Sequence, residues 1–436
     1  MKRRVRRYWP EAFPHQVRNI SMSITVISGG NVLDLAQGVL LEHQYVVIEN
    51  GHIVEVTDRP VDLPNARVID ARGKTVMPGL IDCHVHVLAS RANLGTNATQ
   101  PNILTAIRAL PILKAMLGRG FTSVRDAGGA DWALTQALES GLIPGPRIFP
   151  SGKALSQTGG HGDFRPRGDM LEPCSCCFRA GAIARVVDGV DAVRLAVREE
   201  IQKGATQIKI MASGGVASPT DPIGNTQYSE DEIRAIVAEA EAANTYVMAH
   251  AYTGRAISRA IRCGVRTIEH GNLVDEAAAK LMREHGAFVV PTLVTYDALA
   301  KHGADYGLPA DSIAKVETVR QAGRDSLQIY ANAGVPMGFG SDLLGEMHTF
   351  QSDELRIRAD VLGNLEALRS ATTIAADIVD LSGKLGVIKA GAIADILVVD
   401  GDPLTDIGVL TGQGERIEYV FQRGEVVSER GSVASR

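Results

Sequence analysis

The triplet His84-Val85-His86 closes an apolar run, VMPGLIDCHVHV. On an extended strand residues i and i+2 face the same side, so the two imidazoles would converge on one metal ion. Four further polar residues stand where strand-like segments end: His250 in YVMAH, His270 in TIEHG and Asp342 in GFGSD, and Lys209 in QIKIM, a lysine that is costly in a barrel interior unless neutralised, paired or modified. Each alone has an ordinary structural explanation, such as a satisfied core histidine or a lysine snorkelling out at a strand end. Together they form a set that chance placement does not readily supply, and imidazole with carboxylate suits zinc and similar divalent ions. The chemistry would be metal-assisted hydrolysis, in which cations lower the pKa of a bound water towards neutrality and make it the nucleophile. No GxSxG elbow offers a serine in its place.

The elements that must position these residues alternate between strand and helix from residue 76 to 383. Eight strand-like segments, from VMPGLIDCHVHV to PMGFGSD, are separated by helical patterns such as DAVRLAVREEIQKG and EDEIRAIVAEAEAAN. Ser229 and Glu232 have capping-box spacing at the start of the latter. Eight strands each followed by a helix make an α/β fold, a (β/α)8 TIM barrel, in preference to an open doubly wound sheet. The two chain ends, 23–75 and 384–436, are rich in short strands and turns, with Asn50-Gly51 as a hairpin signal. They are expected to form one composite β-sandwich domain beside the catalytic barrel of 76–383, and residues 1–22 to form a basic arm. Two loops, about 155–188 and 214–228, are long enough to shape an active site. His161 in GGHG and Tyr228 lie on them and are candidates for binding the carboxylate of a substrate; His348 is a third position. Cys174-Ser175-Cys176-Cys177 lacks the spacing of a zinc knuckle and is read as a loop without a metal role.

The remaining composition narrows the function classes. A formal net charge of −5, spread along the chain, does not mark a nucleic-acid binder. No apolar run approaches the ~18 residues that a membrane span requires. An odd, clustered set of 5 cysteines does not resemble a disulfide framework and implies a reducing, cytoplasmic setting.

MPGLIDCHVH, the fourth-strand Lys209, His250, His270 and GFGSD closely resemble the metal-dependent amidohydrolase superfamily, and the match runs over nearly the whole chain. The resemblance implies that His84, His86 and Asp342 bind the more buried of two divalent ions, with zinc expected, and that His250 and His270 bind the other. It implies that Lys209 is carboxylated on its amine and that the carbamate bridges both ions. It also implies a metal-bridging hydroxide as nucleophile and Asp342 as the catalytic base that later protonates the leaving amine. KIMASGGVASP, MAHAYTG and IEHGNLVDE are similar to the branch that cleaves Xaa-Pro and Xaa-Arg dipeptides and N-acyl amino acids. Ochratoxin-degrading amidohydrolases, which release L-phenylalanine, belong to that branch. The expected function is therefore a binuclear-metal hydrolase of N-acyl-L-amino acids or dipeptides, ochratoxin A among them. It would act on a small molecule, without nucleic acid or membrane, as a homo-oligomer. A lactonase or phosphoester hydrolase with the same metal residues is the alternative. The presence of all six ligands weighs against a non-enzymatic scaffold.

Overall fold

The computed structural model describes residues 24–165, 168, 179–218, 221–307 and 310–430. The N-terminal arm and the cysteine cluster at 174–177 lie outside the described residues.

Seven barrel strands run in two parallel groups: Leu80–Val85, Phe121–Asp126 and Arg147–Phe149 in one sheet, and Ile208–Met211, Val247–Thr253, Thr267–Leu273 and Phe288–Val290 in another, where Ala154–Ser156 pairs with Ile208–Met211. Most of their residues are buried, as expected where helices cover one face of a parallel sheet and a packed interior fills the other. The eighth position is taken by the extended segment 337–342. It makes an isolated bridge, Met337 to Val289, on one side. On the other, Cys83 N–H donates to Phe339 O and Asp342 N–H to His84 O, which closes the ring between the seventh and first strands. This segment does not form a regular ladder. Gly338 and Gly340 sit so close to their neighbours that added Cβ atoms would stand 2.4 Å from Ile378 Cδ1 and 2.5 Å from Val290 Cγ1.

Helices alternate with the strands, among them Asn102–Gly118, Val190–Gln202, Glu230–Ala242, Gly254–Arg262, Glu276–Glu284 and Ala310–Ala333. The capping box is present: Ser229 Oγ accepts from Glu232 N–H and the Glu232 carboxylate accepts from Ser229 N–H. No helix among the described residues is long and apolar enough to cross a membrane.

Both chain ends contribute to one eight-stranded sheet. Strands Val39–Glu49 and His52–Thr57 pair antiparallel with Glu49 opposite His52. The Asn50-Gly51 loop between them has φ of 50° and 77°, the positive values a tight hairpin of matching twist requires. Thr75–Pro78 pairs with Ile396–Val399 and joins the two ends. Side-chain alternation along Ile396–Val399 then divides its work. Ile396 and Val398 enter the core of the terminal sheet, while Leu397 and Val399 pack with Leu80, Leu113, Phe121 and Phe339 of the barrel. One short strand thus fastens the small domain to the barrel at the point where the first barrel strand begins.

Candidate active site

The six residues singled out at strand ends, His84, His86, Lys209, His250, His270 and Asp342, converge at the carboxyl end of the barrel. Asp342 Oδ1 lies 3.4 Å from His84 Nε2 and 3.3 Å from His86 Nε2, and Oδ2 lies 3.8 Å from His270 Nδ1. Ligand atoms of His84, His270 and Asp342 all fall within 4.8 Å of one another. The rings of His84 and His270 are 4.9 Å apart and those of His250 and His270 4.6 Å apart. Lys209 is 1% exposed, and its neighbours Ile208 and Ile210 point the other way into the apolar core between barrel and helices. His270 and Asp342 have φ of 71° and 50°, a left-handed conformation that side chains other than glycine seldom adopt and that clusters at functional sites. At His270 it has a purpose. Strict alternation would send His270 away from the face shown by Thr267 and Glu269, and the left-handed residue breaks that alternation within the strand, whose pairing shifts register just beyond it.

Each histidine commits one ring nitrogen to the protein. His84 Nδ1 is 2.7 Å from Glu269 Oε2, His86 Nδ1 is 2.9 Å from Gly128 O, His250 Nε2 is 3.2 Å from Gly214 O and His270 Nδ1 is 2.8 Å from Thr292 Oγ1. Carbonyl and carboxylate oxygens only accept, so His84 Nδ1, His86 Nδ1 and His250 Nε2 carry protons. Their other nitrogens remain for a cation, which is the division of labour of a metal-ligating histidine. Burial, followed by the surrounding positive groups, pushes His250 well below the usual histidine range. Burial does the same to His270, against the opposing charge of Asp342. Both are therefore held neutral, the form that ligates. Burial would raise the Asp342 carboxyl, but His84, then His86 and His270, outweigh it and hold the group well below the usual carboxylate range. Burial lowers the Lys209 amine to about 8 against the charges of Glu269 and Asp342. This enlarges the fraction of neutral amine, which is the nucleophilic form.

Residues 75–427 match the amidohydrolase family. The chain belongs to it. The ochratoxinase of Aspergillus niger is 32% identical over 426 residues, covering 94% of this chain and 87% of that protein. The barrel and its terminal sheet superpose on the crystal structure of a prolidase complexed with N-methylphosphonate-L-proline. That protein is 81% identical, the TM-score is 0.93, and 94% of this chain and 100% of that one are covered. A Xaa-Pro dipeptidase with methionine bound in its active site follows at 30% identity and a TM-score of 0.84, with 93% and 100% covered.

Amidohydrolases are generally metal-dependent, and the donor set fits a cation. His84 Nε2 is buried and has no hydrogen-bond partner among the described residues, an uncompensated cost unless an ion meets its lone pair. Of the two loop residues proposed for substrate, His161 is brought to this group, stacked on His250 at 4.1 Å. Tyr228 packs in the core between barrel and helices, and its hydroxyl donates to Val187 O. His348 is buried with Nε2 3.4 Å from Ala89 O. Sequence reasoning passed over several members of the site. Glu269 is held by Arg125 at 2.8 Å as well as by His84. Tyr252 stacks against His270 at 5.4 Å with its hydroxyl 2.7 Å from that of Tyr296. Tyr252 stands two residues after His250 on the same strand, a spacing that could have flagged it. Gly128, Gly214 and Thr292 act through a carbonyl or a distant loop and leave no such trace.

The close packing behind the ligands yields a direct prediction. A Cβ on Gly340 would stand 2.5 Å from Val290 Cγ1 and 2.9 Å from His84 Cβ. Gly340→Ala is expected to destabilise the fold by about 1–3 kcal/mol, the usual cost of overpacking, and to loosen metal binding through His84. Thermal unfolding with and without added metal measures both, and an unchanged melting temperature would contradict the packing argument.

Proposed function

We propose that this amidohydrolase is a binuclear-metal enzyme that hydrolyses the amide bond of N-acyl-L-amino acids and dipeptides, with L-proline as the preferred amine-side residue. The observation that carries the reading is the convergence of His84, His270 and Asp342 ligand atoms within 4.8 Å. The 81% identical prolidase supports the choice of proline. An N-phosphonyl proline holds a tetrahedral phosphorus where an N-acyl proline holds its carbonyl carbon, so such a compound resembles the tetrahedral stage of amide hydrolysis.

In this reading His84, His86 and Asp342 would hold one zinc ion and His250 and His270 the other, with a carboxylated Lys209 supplying an anionic ligand to both. When bound, the pair would acidify a shared water and polarise the amide carbonyl. Asp342 supplies the proton transfers. Its Oδ1 faces the imidazoles of His84 and His86, which leaves Oδ2 to take a proton from the attacking water and return it to the leaving nitrogen. A proline nitrogen must be protonated in this way to leave as an amine. His161, against His250, contacts the substrate, and Tyr252 packs against both His250 and His270. Tyr228 would reach substrate only if its hydroxyl left Val187.

The test is a panel of N-acyl-L-prolines, other N-acyl-L-amino acids, Xaa-Pro and Xaa-Arg dipeptides, ochratoxin A, a lactone and a phosphotriester, with and without chelator. Chelator-sensitive release of free L-amino acid, with proline fastest, is expected. Turnover confined to the lactone or the phosphotriester would overturn the substrate class. The 32% identity to ochratoxinase makes release of L-phenylalanine from ochratoxin A the second outcome to measure.

A further inference from the structure

Two loops and a distant helix meet around His161. Ser218 and Asp221, with Gly215 and Gln227, belong to the loop after the fourth barrel strand; Lys315 belongs to helix Ala310–Ala333. One face of the His161 ring stacks on His250 with 24° between the planes. Gly215 admits the ring because it has no side chain: a Cβ there would stand 2.1 Å from His161 Cε1. At the ring edge, Nδ1 is 2.8 Å from Ser218 Oγ. Ser218 Oγ donates its single proton to the Asp221 carboxylate, which only accepts, so at Nδ1 the serine oxygen must be the acceptor. Asp221 Oδ2 accepts in addition from Gly215 N–H at 3.1 Å and from Gln227 Nε2 at 3.0 Å. Gln227 Oε1 accepts from the His161 backbone N–H at 2.9 Å. Main chain and ring of His161 are thus tied to one carboxylate that is 3% exposed. From outside, Lys315 Nζ donates to the carbonyls of Gly215, Ser218 and Asp221 at 3.2, 3.0 and 2.9 Å. One side chain from the helix thus ties together three carbonyls of the same loop.

We propose that Ser218, Asp221 and Lys315 are positioning residues. Ser218 and Asp221 fix a proton on His161 Nδ1 and so reserve Nε2 for the substrate, while Lys315 staples shut the loop that carries them. The proposal rests on the reading of His161 as a substrate contact. Misplacing such a group by about 1 Å can cost on the order of 100-fold in rate, which makes a rigid clamp worth its buried polar groups.

Two readouts on the metal-loaded protein test it. Ring ¹⁵N shifts of histidine-labelled protein, assigned by difference from His161→Ala, report which nitrogen of His161 carries the proton, independently of any substrate. The wild type should show Nδ1–H, and Ser218→Ala should lose this single form. Kinetics on N-acetyl-L-proline form the second readout. Ser218→Ala and Asp221→Asn should lower kcat/KM by about 10- to 100-fold, divide the loss between kcat and KM as His161→Ala does, and add nothing in a His161→Ala background. Bound metal should stay at the wild-type level. Lys315→Met, at a partly exposed side chain that does not threaten folding, should show the same pattern more weakly. An Nε2–H form in the wild type, or a loss that persists undiminished in the His161→Ala background, would overturn the proposal. A wild type that shows Nδ1–H yet cleaves no N-acyl amino acid would sink the proposed function while leaving the clamp supported.

Discussion

Asp342→Asn is expected to lower kcat on N-acyl-L-proline by on the order of 10³-fold, within the range that positioned acid–base groups contribute. The side chain is held as a carboxylate by His84, His86 and His270 against the cost of its burial, so it enters the reaction ready to accept a proton. An amide of the same shape can still fill the space and keep one oxygen facing His84 and His86. It cannot take a proton from water or return one to the leaving nitrogen. Substrates whose leaving groups need no proton, such as an N-acyl imidazole, should be less affected than N-acyl-proline. Steady-state kinetics on both classes, alongside metal content, separates lost proton transfer from lost metal. An Asp342→Asn variant within tenfold of wild type on N-acyl-proline, with metal retained, would remove Asp342 from the mechanism.

Lys209 carries the second large effect. It is wholly buried, and burial brings its amine down to about 8. A buried cation beside two metal ions would be repulsive, whereas a carbamate formed on the neutral amine is an anionic ligand with two oxygens. Lys209→Met keeps most of the volume and the apolar stem but cannot be carboxylated. It is expected to bind fewer than two ions and to lose activity by at least about 10³-fold, equivalent to several kcal/mol of lost transition-state stabilisation. Elemental analysis of the purified variant reads the metal content. In the wild type, reconstitution of the apoprotein should be faster with added bicarbonate. Two bound ions and full activity in Lys209→Met would disprove the carbamate.

Much of the fold was legible because its signals are local. The alternation of apolar strands and amphipathic helices, the Asn50-Gly51 hairpin and the Ser229–Glu232 capping box each depend on residues a few positions apart. The six candidate positions could be picked out for the same reason: each lies within or just after a strand-like segment, and a parallel barrel brings the carboxyl ends of such segments to one rim. The eighth strand was overread. Its two glycines permit a close approach of the chain to Val290 and Ile378, and the segment is held by a bridge and single bonds in place of a full ladder.

His161 and Tyr228 show where locality ends. As sequence they were alike, polar residues on long loops after strands. In the structure His161 stacks on His250 while the Tyr228 hydroxyl is taken by Val187 O. Nothing within either loop decides this, because each partner comes from elsewhere in the chain: His250 from the strand Val247–Thr253, and Val187 from the other long loop. Likewise Glu269 was visible only as the neighbour of His270. Its place under His84 depends on a contact spanning 185 residues.

By itself, then, the order of residues determined which elements form and which side chains stand at the ends of the strands, since periodicity and turn chemistry act over a few residues. Tertiary structure alone decided which nitrogen of each histidine stays free, which loop histidine meets the site and what holds it there. Hydrogen-bond partners of buried groups are chosen by proximity in space, and the barrel brings together residues that the chain keeps far apart.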